Sequence, residues 1–358
     1  MVEFWKLYFA FMRFSIFFSL FLLCACVSQT VYLNEKDLPL HHLPNGHFRN
    51  TDTLTPPVRD TMEADSLVPK FRTRMYELPI VRGNENLWED SNAISATWIG
   101  HSTFYIRWKN FGILTDPIFS ERASPVTFAG PKRGTKPGRS LDSLPQVDLV
   151  IISHDHYDHL DKASVLQIFK KNKAVIFAVP LKVAEILARW GIPKKQIIEL
   201  DWWESAKVGK HNLTFVPAHH TSRRGLLKSS KNSTLWGGWV IEKSGFKIWF
   251  AGDIAFGDGS YYKEIGKRFS PIDVSFLPIG SYKPSRYTRQ HISPRQAVQL
   301  HLMVGSKKSI AMHWGTFGMV YERLEDPKKD LKKAKTELKI PESDFFTLFH
   351  GEICPLFE

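Results

Sequence analysis

The ten residues ISHDHYDHLD, at positions 152–161, contain three histidines and three aspartates. They overlap the end of VDLVIIS (147–153), an apolar run typical of a strand that is buried on both faces. In sheets covered by helices, ligands collect beyond the carboxyl ends of the strands. Metal-binding side chains at this position therefore predict a metal site at a strand end.

The spacing within this stretch suits two ions. In an extended chain, residues two apart project to the same side, so His154 and His156 can hold one ion while Asp155 points away. Asp158 and His159, where the chain turns into a helix, can face a second ion. The alternative is a polar turn whose aspartates cap the helix. Four ligand-type residues in the order H-x-H-x-D-H favour the metal site.

Three other apolar strands end in side chains of the same kind. LTFVPAHH ends in His219 and His220, KIWFAGD ends in Asp253, and KSIAMHW carries His313 near its end. A site shared by several strands produces this recurrence. Adjacent residues of an extended chain point to opposite sides, so only one of His219 and His220 can face a given ion.

Composition and patterning predict one α/β domain over residues 91–358. The chain of 358 residues is 43% hydrophobic, which is enough for a large core. Short strand-like runs alternate with helical patterns such as ASVLQIFKKN and PRQAVQLHLMVG, which predicts sheets covered by helices. The formal charge of +12 favours anionic surfaces. No nucleic-acid-binding motif accompanies it, so we expect no nucleic-acid partner.

The first 26 residues resemble the signal peptide of a bacterial lipoprotein. Basic residues precede FSIFFSLFLLCAC, which is too short for a typical membrane span, and Leu23 to Cys26 match the lipoprotein box. We therefore expect a lipid on Cys26 and a location in the bacterial cell envelope, anchored in the outer membrane and facing the periplasm. Met12 is an alternative start. Only Cys354 lies outside the signal, so the mature chain has no disulfide framework.

Residues 27–90 are polar and contain few periodic apolar runs, which predicts either an arm packed on the domain or a tether from the membrane. This segment has no obvious chemistry. Its histidines, at 41, 42 and 47, lack acidic partners at ligand spacing in the sequence. We expect them to be solvated surface residues.

The order H-x-H-x-D-H, then His, Asp and His, resembles the metallo-β-lactamase superfamily of binuclear metal hydrolases. Further stretches resemble its N-acylphosphatidylethanolamine-hydrolysing phospholipase D branch, among them TWIGHSTFYI, LTDPIFSERASPVTFAGPKR, IELDWWE, EIGKRFSPID and MHWGTF. They cover almost everything from Ala96 to Glu352. The resemblance implies an αββα sandwich, in which two mixed β-sheets are covered by helices.

The resemblance also implies how the ions are held. It places the first ion on His154, His156 and His220, the second on Asp158, His159 and His313, and Asp253 between the two. Imidazole and carboxylate ligands without cysteine suit two zinc ions, and iron or manganese is also compatible. The phospholipase pattern, counted from Pro217, makes His220 the ligand and places His219 in the pocket or behind the ligands.

Other residues are assigned by the same resemblance. Gln290 and His291 match a pair that touches the substrate phosphate, and His291 is expected to stabilise the transition state or protonate the leaving group. Tyr157 matches a tyrosine that lines the pocket. His101 is expected either near the site or as a hydrogen-bonded core histidine, and it is not included among the ligands.

Several charged residues and histidines keep two interpretations. Asp116 and Asp148 are either partners of ligand histidines or turn caps. Arg223 and Arg224 either attract phosphate or form a solvated loop. His211, His301 and His350 are expected to be structural or surface residues.

The branch resemblance, the lipid anchor and the basic charge together favour a membrane phosphodiester as substrate. We predict a zinc-dependent phosphodiesterase of phospholipase D type that acts on N-acylphosphatidylethanolamine or a related phospholipid through a hydroxide that bridges the ions. Asp253 would orient this hydroxide. Asp155 and the AHH sequence depart from the animal enzyme, which usually has Asn and Ala-Gln-His there. A homodimer is a further expectation.

Two alternatives remain at this stage. One is a lactonase or amide hydrolase of the same superfamily, which activity on lactones rather than phosphodiesters would reveal. The other is a lipoprotein that binds metal without catalysis. Structural zinc sites are usually closed and hold one four-coordinate ion, so a set of seven ligands favours an enzyme.

Overall fold

The computed structural model of the protein describes residues 38–54, 77–90, 92–225 and 227–357. The predicted signal peptide, Cys26 and Met12 lie outside these ranges. Within them, no helix combines the length and apolar character that a membrane crossing requires.

The described residues form two seven-stranded mixed sheets. The strands of the first are β1 (Ile94–Gly100), β2 (Thr103–Trp108), β3 (Phe111–Thr115), β4 (Leu149–Ile151), β5 (Ile176–Pro180), β6 (Ile197–Leu200) and β14 (Ile353–Pro355). Their order is β14-β1-β2-β3-β4-β5-β6, and the pairs from β3 to β6 are parallel.

The second sheet repeats this plan. It contains β7 (Ser205–Val208), β8 (His211–Val216), β9 (Gly238–Lys243), β10 (Phe246–Phe250), β11 (Ile272–Pro278), β12 (Ser306–Met312) and β13 (Phe345–Phe346). Their order is β13-β12-β11-β10-β9-β8-β7, and the pairs from β10 to β13 are parallel. Because β9 is antiparallel to both β8 and β10, these last two run in the same direction.

The described helices are α1 (Asn86–Glu89), α2 (Lys162–Lys171), α3 (Val183–Arg189), α4 (Ser260–Phe269), α5 (Pro294–Met303) and α6 (Asp326–Leu338). Local sequence explains where two of them begin. The side chain of Asp161 accepts a hydrogen bond from Ser164 N at the start of α2. Ser293 and Gln296 form a capping box ahead of Pro294 at the start of α5.

Apolar side chains join these layers into a sandwich. Phe104 of β2 and Phe276 of β11 meet between the sheets with their ring centroids 4.6 Å apart. On the outer face of the first sheet, buried Phe177 packs in one cluster with Val165 of α2 and Leu187 of α3. The αββα sandwich with two mixed sheets is therefore confirmed.

This architecture brings several strand ends together. The chain leaves β3 at Asp116, β4 at Ile152 just before Ser153, and β12 at His313, while the turn between β1 and β2 contains His101. Asp116, His313 and His101 have φ values of 33°, 60° and 56°, in the left-handed region. Backbone of this kind is costly for residues other than glycine and concentrates at functional sites.

The expectation that His41 and His42 are solvated is wrong. His41 is buried, and the two imidazoles bond the two oxygens of Asp201 through Nε2 at 2.6 and 2.7 Å. The acidic partner is remote in the sequence, so local spacing could not reveal it. His47 is half-buried and bonds the carbonyl of Lys231.

Candidate metal centre

Two groups of ligand-type side chains lie next to each other beyond the strand ends. The first is His154, His156 and His220, whose ligand atoms all lie within 4.8 Å of one another. Nδ1 of His156 is 2.8 Å from Nε2 of His154 and 3.4 Å from Nε2 of His220. These are the three residues predicted to hold the first ion.

The second group is His101, Asp158, His159 and His313, again within 4.8 Å. Oδ2 of Asp158 is 3.3 Å from Nε2 of His159 and 3.6 Å from Nε2 of His313. The structure thus brings together the residues predicted for the second ion. It adds His101, whose Nε2 bonds Oδ2 of Asp158 at 2.9 Å.

Asp253 lies between the two groups. Its Oδ2 is 3.8 Å from Nε2 of His220 and 3.3 Å from Nε2 of His159. Its Oδ1 is 3.1 Å from Nε2 of His313. One carboxylate therefore contacts both groups, as the position between two ions requires.

The polar atoms of this centre fit bound cations. Nε2 of His159, Nε2 of His313 and Oδ1 of Asp253 are buried and, among the described residues, have no partner in hydrogen-bonding geometry. Buried polar atoms are normally satisfied, so unsatisfied atoms that converge on one point need an explanation. A divalent cation provides one, and nitrogen and oxygen donors of this kind suit it.

Hydrogen bonds leave the ligand nitrogens free. Nδ1 of His159 donates to Asp116 at 2.7 Å, and Nδ1 of His154 donates to Oγ of Ser153 at 2.9 Å. Nδ1 of His220 donates to the carbonyl of Gln290 at 2.9 Å. Fixing the proton on Nδ1 leaves Nε2 as the basic atom, which is how partners outside a metal site orient histidine ligands.

The imidazoles of the first group are neutral. Burial lowers the pKa of His154, His156 and His220 below the usual value, and for His154 and His220 the lowering is large. Neighbouring histidines add to this lowering in His154 and His220. Neutral imidazole is the form that binds a metal.

Charges dominate in the second group. Burial opposes ionisation of Asp253, but the positive charges of His159 and His313 outweigh it and hold the pKa of that carboxyl well below its usual range. Burial alone would lower the pKa of His313, yet Asp253 and Asp158 raise it to about 9. An arriving cation would therefore displace a proton from His313.

The structure gives Asp116 and Asp148 different roles. Asp116 accepts hydrogen bonds from His159 and from Ser153 and is fully buried. Asp148 precedes β4, at the opposite edge of the sheet, and accepts from the backbone N–H of Gly112 at 2.8 Å. Asp116 is a partner of a candidate ligand, whereas Asp148 joins two strands.

The adjacent histidines point to opposite sides, as the extended chain predicts. His220 faces His156 and Asp253, whereas Nδ1 of His219 bonds Asp52 at 2.7 Å. The placement of His220 in the centre agrees with the predicted ligand assignment.

The residues proposed for substrate contact lie at the edge of the centre. Nδ1 of His291 is 3.7 Å from Oδ2 of Asp253. Gln290 has an exposed side chain, and its carbonyl bonds His220. Tyr157 is half-buried beneath Arg224, whose guanidinium carbon is 4.3 Å from the ring centroid.

Arg224 does not belong to a solvated loop, because its side chain is half-buried and bonded to the backbone. Its Nη1 donates to the carbonyls of Asp155 and Leu160 at 2.9 and 2.7 Å, so it braces the 152–161 stretch from outside. The backbone N–H of Arg223 donates to Oδ1 of Asp155 at 2.8 Å. Asp155 therefore points toward this loop and away from the candidate ligands.

Histidines elsewhere are structural. His211 stacks on Phe111, and Nδ1 of His301 bonds Oγ of Ser309 at 2.9 Å. His350 bonds Oγ1 of Thr316 at 3.0 Å, and burial lowers its pKa to about 3. All three are buried, as a structural role requires.

A buried centre of imidazoles and carboxylates at the edge of a two-sheet sandwich is the arrangement of a metal-dependent hydrolase of the β-lactamase superfamily. Residues 112–314 match the model of the beta-lactamase superfamily domain. The chain belongs to this superfamily and, within it, to the branch that resembles N-acyl-phosphatidylethanolamine-hydrolysing phospholipase D.

Individual relatives support both statements. The N-acyl-phosphatidylethanolamine-hydrolyzing phospholipase D 1 of Caenorhabditis elegans is 35% identical over 288 residues, which is 77% of this chain and 80% of that protein. The mitochondrial enzyme of the same name from Saccharomyces cerevisiae is 31% identical over 66% of this chain and 50% of its own length.

Solved structures share the fold. Igni18, a metallo hydrolase from Ignicoccus hospitalis, has a TM-score of 0.54 at 22% identity and covers 74% of this chain and 99% of its own. The isothiocyanate hydrolase from Delia radicum gut bacteria has a TM-score of 0.57 at 19% identity over 73% of this chain and 98% of its own.

Proposed function

We propose that this protein is a two-zinc phosphodiesterase of phospholipase D type that hydrolyses N-acylphosphatidylethanolamine or a related phospholipid. The position of Asp253 between two groups of ligand-type side chains is the observation that supports a two-ion centre. The similarity to phospholipases of this name over 77% of the chain supports the substrate class.

In this proposal His154, His156 and His220 hold one zinc ion, Asp158, His159 and His313 hold the other, and Asp253 contacts both. The two ions would supply Lewis acidity to the phosphoryl group and lower the pKa of a water molecule. The donor set consists of imidazoles and carboxylates without cysteine. Catalytic zinc sites commonly use ligands of these kinds.

His291 is positioned to act on the phosphoryl group. Burial lowers its pKa to about 4 although Asp253 opposes this, so the imidazole is neutral at neutral pH. A neutral imidazole beside Asp253 can donate one N–H to a phosphoryl oxygen and accept a proton at its other nitrogen. Tyr157 and Gln290 are proposed to contact the rest of the substrate.

Attachment to the outer membrane through a lipid on Cys26, on the periplasmic side, is part of the same proposal. An anchored enzyme meets phospholipid at a high effective concentration. The basic charge of +12 favours an anionic surface. Dimerisation stays a prediction.

The test is product identification by mass spectrometry. Zinc-loaded protein is incubated with a mixture of N-acylated and ordinary phospholipids, with Asp253→Ala as the control. We expect phosphatidic acid with the wild type and at least a thousandfold less with the variant, as for loss of a central catalytic group. Fully metallated protein that releases no phosphatidic acid but opens lactones or cleaves amides would replace the phospholipase proposal. Metallated protein with no turnover would indicate a binding protein.

A further inference from the structure

We infer that Asn50 is a positioning residue for His220, which makes the segment 38–54 part of the first ion's site. The inference rests on the two-ion centre proposed above but not on the phospholipid substrate. Sequence patterning assigned no chemistry to this segment, and the phospholipase resemblance begins only at Ala96.

One amide side chain holds both backbone groups of the candidate ligand. Nδ2 of Asn50 donates to the carbonyl of His220 at 2.9 Å, and the backbone N–H of His220 donates to Oδ1 of Asn50 at 3.3 Å. The same Oδ1 accepts from Nε1 of Trp236 at 3.1 Å, and Trp236 is fully buried. Asn50 is therefore fixed itself and fixes the orientation of His220.

Asp52 holds the preceding residue. Its Oδ1 accepts from Nδ1 of His219 at 2.7 Å, and its side chain is 1% exposed. The hydroxyl of Tyr261 accepts hydrogen bonds from the backbone N–H of Thr51 at 2.6 Å and of Asp52 at 3.2 Å. At Gly257, a Cβ would lie 1.9 Å from Oδ2 of Asp52, so the carboxylate occupies space that only glycine leaves open.

These contacts help to set the direction in which the His220 imidazole points. His219 and His220 point to opposite sides of the chain, so holding the first side chain and the second backbone fixes the rotation of the peptide between them. His220 follows β8 after a gap without regular structure. The carbonyl of His219 accepts from the N–H of Ala255 at 2.7 Å in an isolated bridge, whereas the backbone N–H and carbonyl of His220 both bond Asn50. Nδ1 of its imidazole bonds the carbonyl of Gln290. Without Asn50, the imidazole would keep its bond to Gln290 and the carbonyl of His219 would keep its bond from Ala255 N, but both backbone groups of His220 would lose their partner.

Zinc binding by the full-length chain in detergent tests the inference. Chelator competition gives the stoichiometry and the two affinities, and the visible spectrum of the cobalt-substituted protein reports the geometry of each ion. We expect Asn50→Ala to lower the affinity for one ion by 10–100-fold, the usual effect of removing a partner that orients a ligand. The second ion should keep its affinity, and the cobalt bands of one site only should shift.

Asn50→Asp keeps the acceptor for His220 N but loses the donor to its carbonyl, so an intermediate loss is expected. If Asn50→Ala does not fold, Asn50→Asp is used to test the inference. Asn45→Ala is the matched control, because exposed Asn45 lies in the same segment and its side chain accepts from the N–H of His47 rather than from His220. His42→Ala loosens the segment at Asp201 without touching His220.

Wild-type affinity for both ions in folded Asn50→Ala and Asn50→Asp overturns the inference. So does an equal loss in Asn45→Ala or His42→Ala, because the effect would then come from attachment of the segment in general. A wild-type chain that takes up a single ion contradicts the proposed two-ion function, and the response of that one ion to Asn50→Ala still decides the present inference.

Discussion

Asp116 connects the two halves of the centre through hydrogen bonds. Its Oδ2 accepts from Nδ1 of His159 and from Oγ of Ser153, and its Oδ1 accepts from Ser153 N. Because Oγ of Ser153 accepts in turn from His154, this one carboxylate orients a candidate ligand in each group. Burial raises the pKa of Asp116, while its bonds to His159 and Ser153 oppose the rise.

Asp116→Asn is therefore expected to weaken zinc binding by 10–100-fold, because an amide cannot accept all three hydrogen bonds. Chelator competition measures this. Ser153→Ala should lower mainly the affinity for the ion that His154 is proposed to hold, since His159 keeps its direct bond to Asp116. Unchanged affinities in Asp116→Asn would show that packing alone orients these imidazoles.

The sequence predicted the candidate ligands better than the residues behind them. The H-x-H-x-D-H spacing places side chains within one loop, so local geometry predicts which of them face together. The role of Asp116 depends on a contact with Ser153, which is 37 residues further along the chain, and on an unusual backbone with a φ of 33°. The sequence also did not decide the role of His101. The turn between β1 and β2 is brought to Asp158 only when the whole sheet pairs.

At the scale of elements, the loop 281–291 depends on a buried carboxyl group. Glu322 accepts hydrogen bonds from the backbone N–H groups of Ser281 at 2.7 Å and Tyr282 at 3.3 Å. This loop continues to His291, so Glu322 helps to hold the residue proposed to act on the phosphoryl group. Burial raises the pKa of Glu322 to about 7, although the backbone hydrogen bonds oppose the rise.

This shift makes the stability of the fold depend on pH. The folded state binds the proton more tightly than the unfolded chain, whose carboxyl has a pKa of 4.5. The stabilisation is therefore complete below pH 4.5 and is lost as the pH rises through about 7. At 1.36 kcal/mol per pKa unit, the total is about 3 kcal/mol.

Denaturant unfolding at several pH values checks this expectation. Between pH 5 and pH 8, the free energy of unfolding of the wild type should fall relative to that of Glu322→Gln by roughly 2–3 kcal/mol. Other titrating groups are common to both proteins and cancel in the difference. Parallel curves would mean that Glu322 is not responsible for a proton taken up on folding.

Helix α4 could not be predicted from the periodicity of the sequence. It follows Gly259 without a side-chain cap and contains Gly266, which is unfavourable in a helix interior. A Cβ at Gly266 would lie 2.7 Å from the carbonyl oxygen of Met303, at the end of α5. The glycine permits the two helices to approach, and this benefit is visible only in the packed molecule. The helices α2 and α5, with regular patterns and clear caps, were predicted from sequence to within a few residues.

At the scale of the whole molecule, the N-terminal segment contacts residues that are remote in the sequence. His41 and Asp201 are 160 residues apart, and Asn50 and His220 are 170 apart. Local patterns have no information about such pairs. The sequence therefore left open whether this part of the chain packs on the domain, and the described residues 38–54 do pack on it.

Two loops beside the centre have exposed apolar tips. A bridge between Arg122 and Lys132 closes the first, and its Phe128 is 81% exposed. A bridge between Arg223 and Lys231 closes the second, and its Leu227 is 74% exposed. In both loops an apolar tip stands above a pair of cationic residues, a pattern that suits the boundary between acyl chains and anionic headgroups.

Both loops are tied to the same stretch of chain. Oγ of Ser120, just before the first loop, donates to Asp161 at 2.7 Å, and Arg224 of the second loop donates to the carbonyl of Leu160 at 2.7 Å. The bases of both loops therefore contact the residues that directly follow the candidate ligands. If phospholipid is the substrate, insertion of these tips would place the centre at the membrane surface.

Replacing both tips, Phe128→Ser with Leu227→Ser, should weaken binding to vesicles of anionic phospholipid by at least tenfold, because inserting one such side chain contributes on the order of 1.5 kcal/mol or more. The measurement is vesicle co-sedimentation with a Cys26→Ser background, so that no lipid anchor contributes. Leu302→Ser is the matched control, since Leu302 is 54% exposed on α5 and belongs to neither loop. Zinc content should be unchanged in all of these variants, which separates access to the membrane from formation of the metal centre. Equal vesicle binding by the double variant and by Leu302→Ser would assign the exposed tips another role and leave membrane contact to the proposed lipid on Cys26.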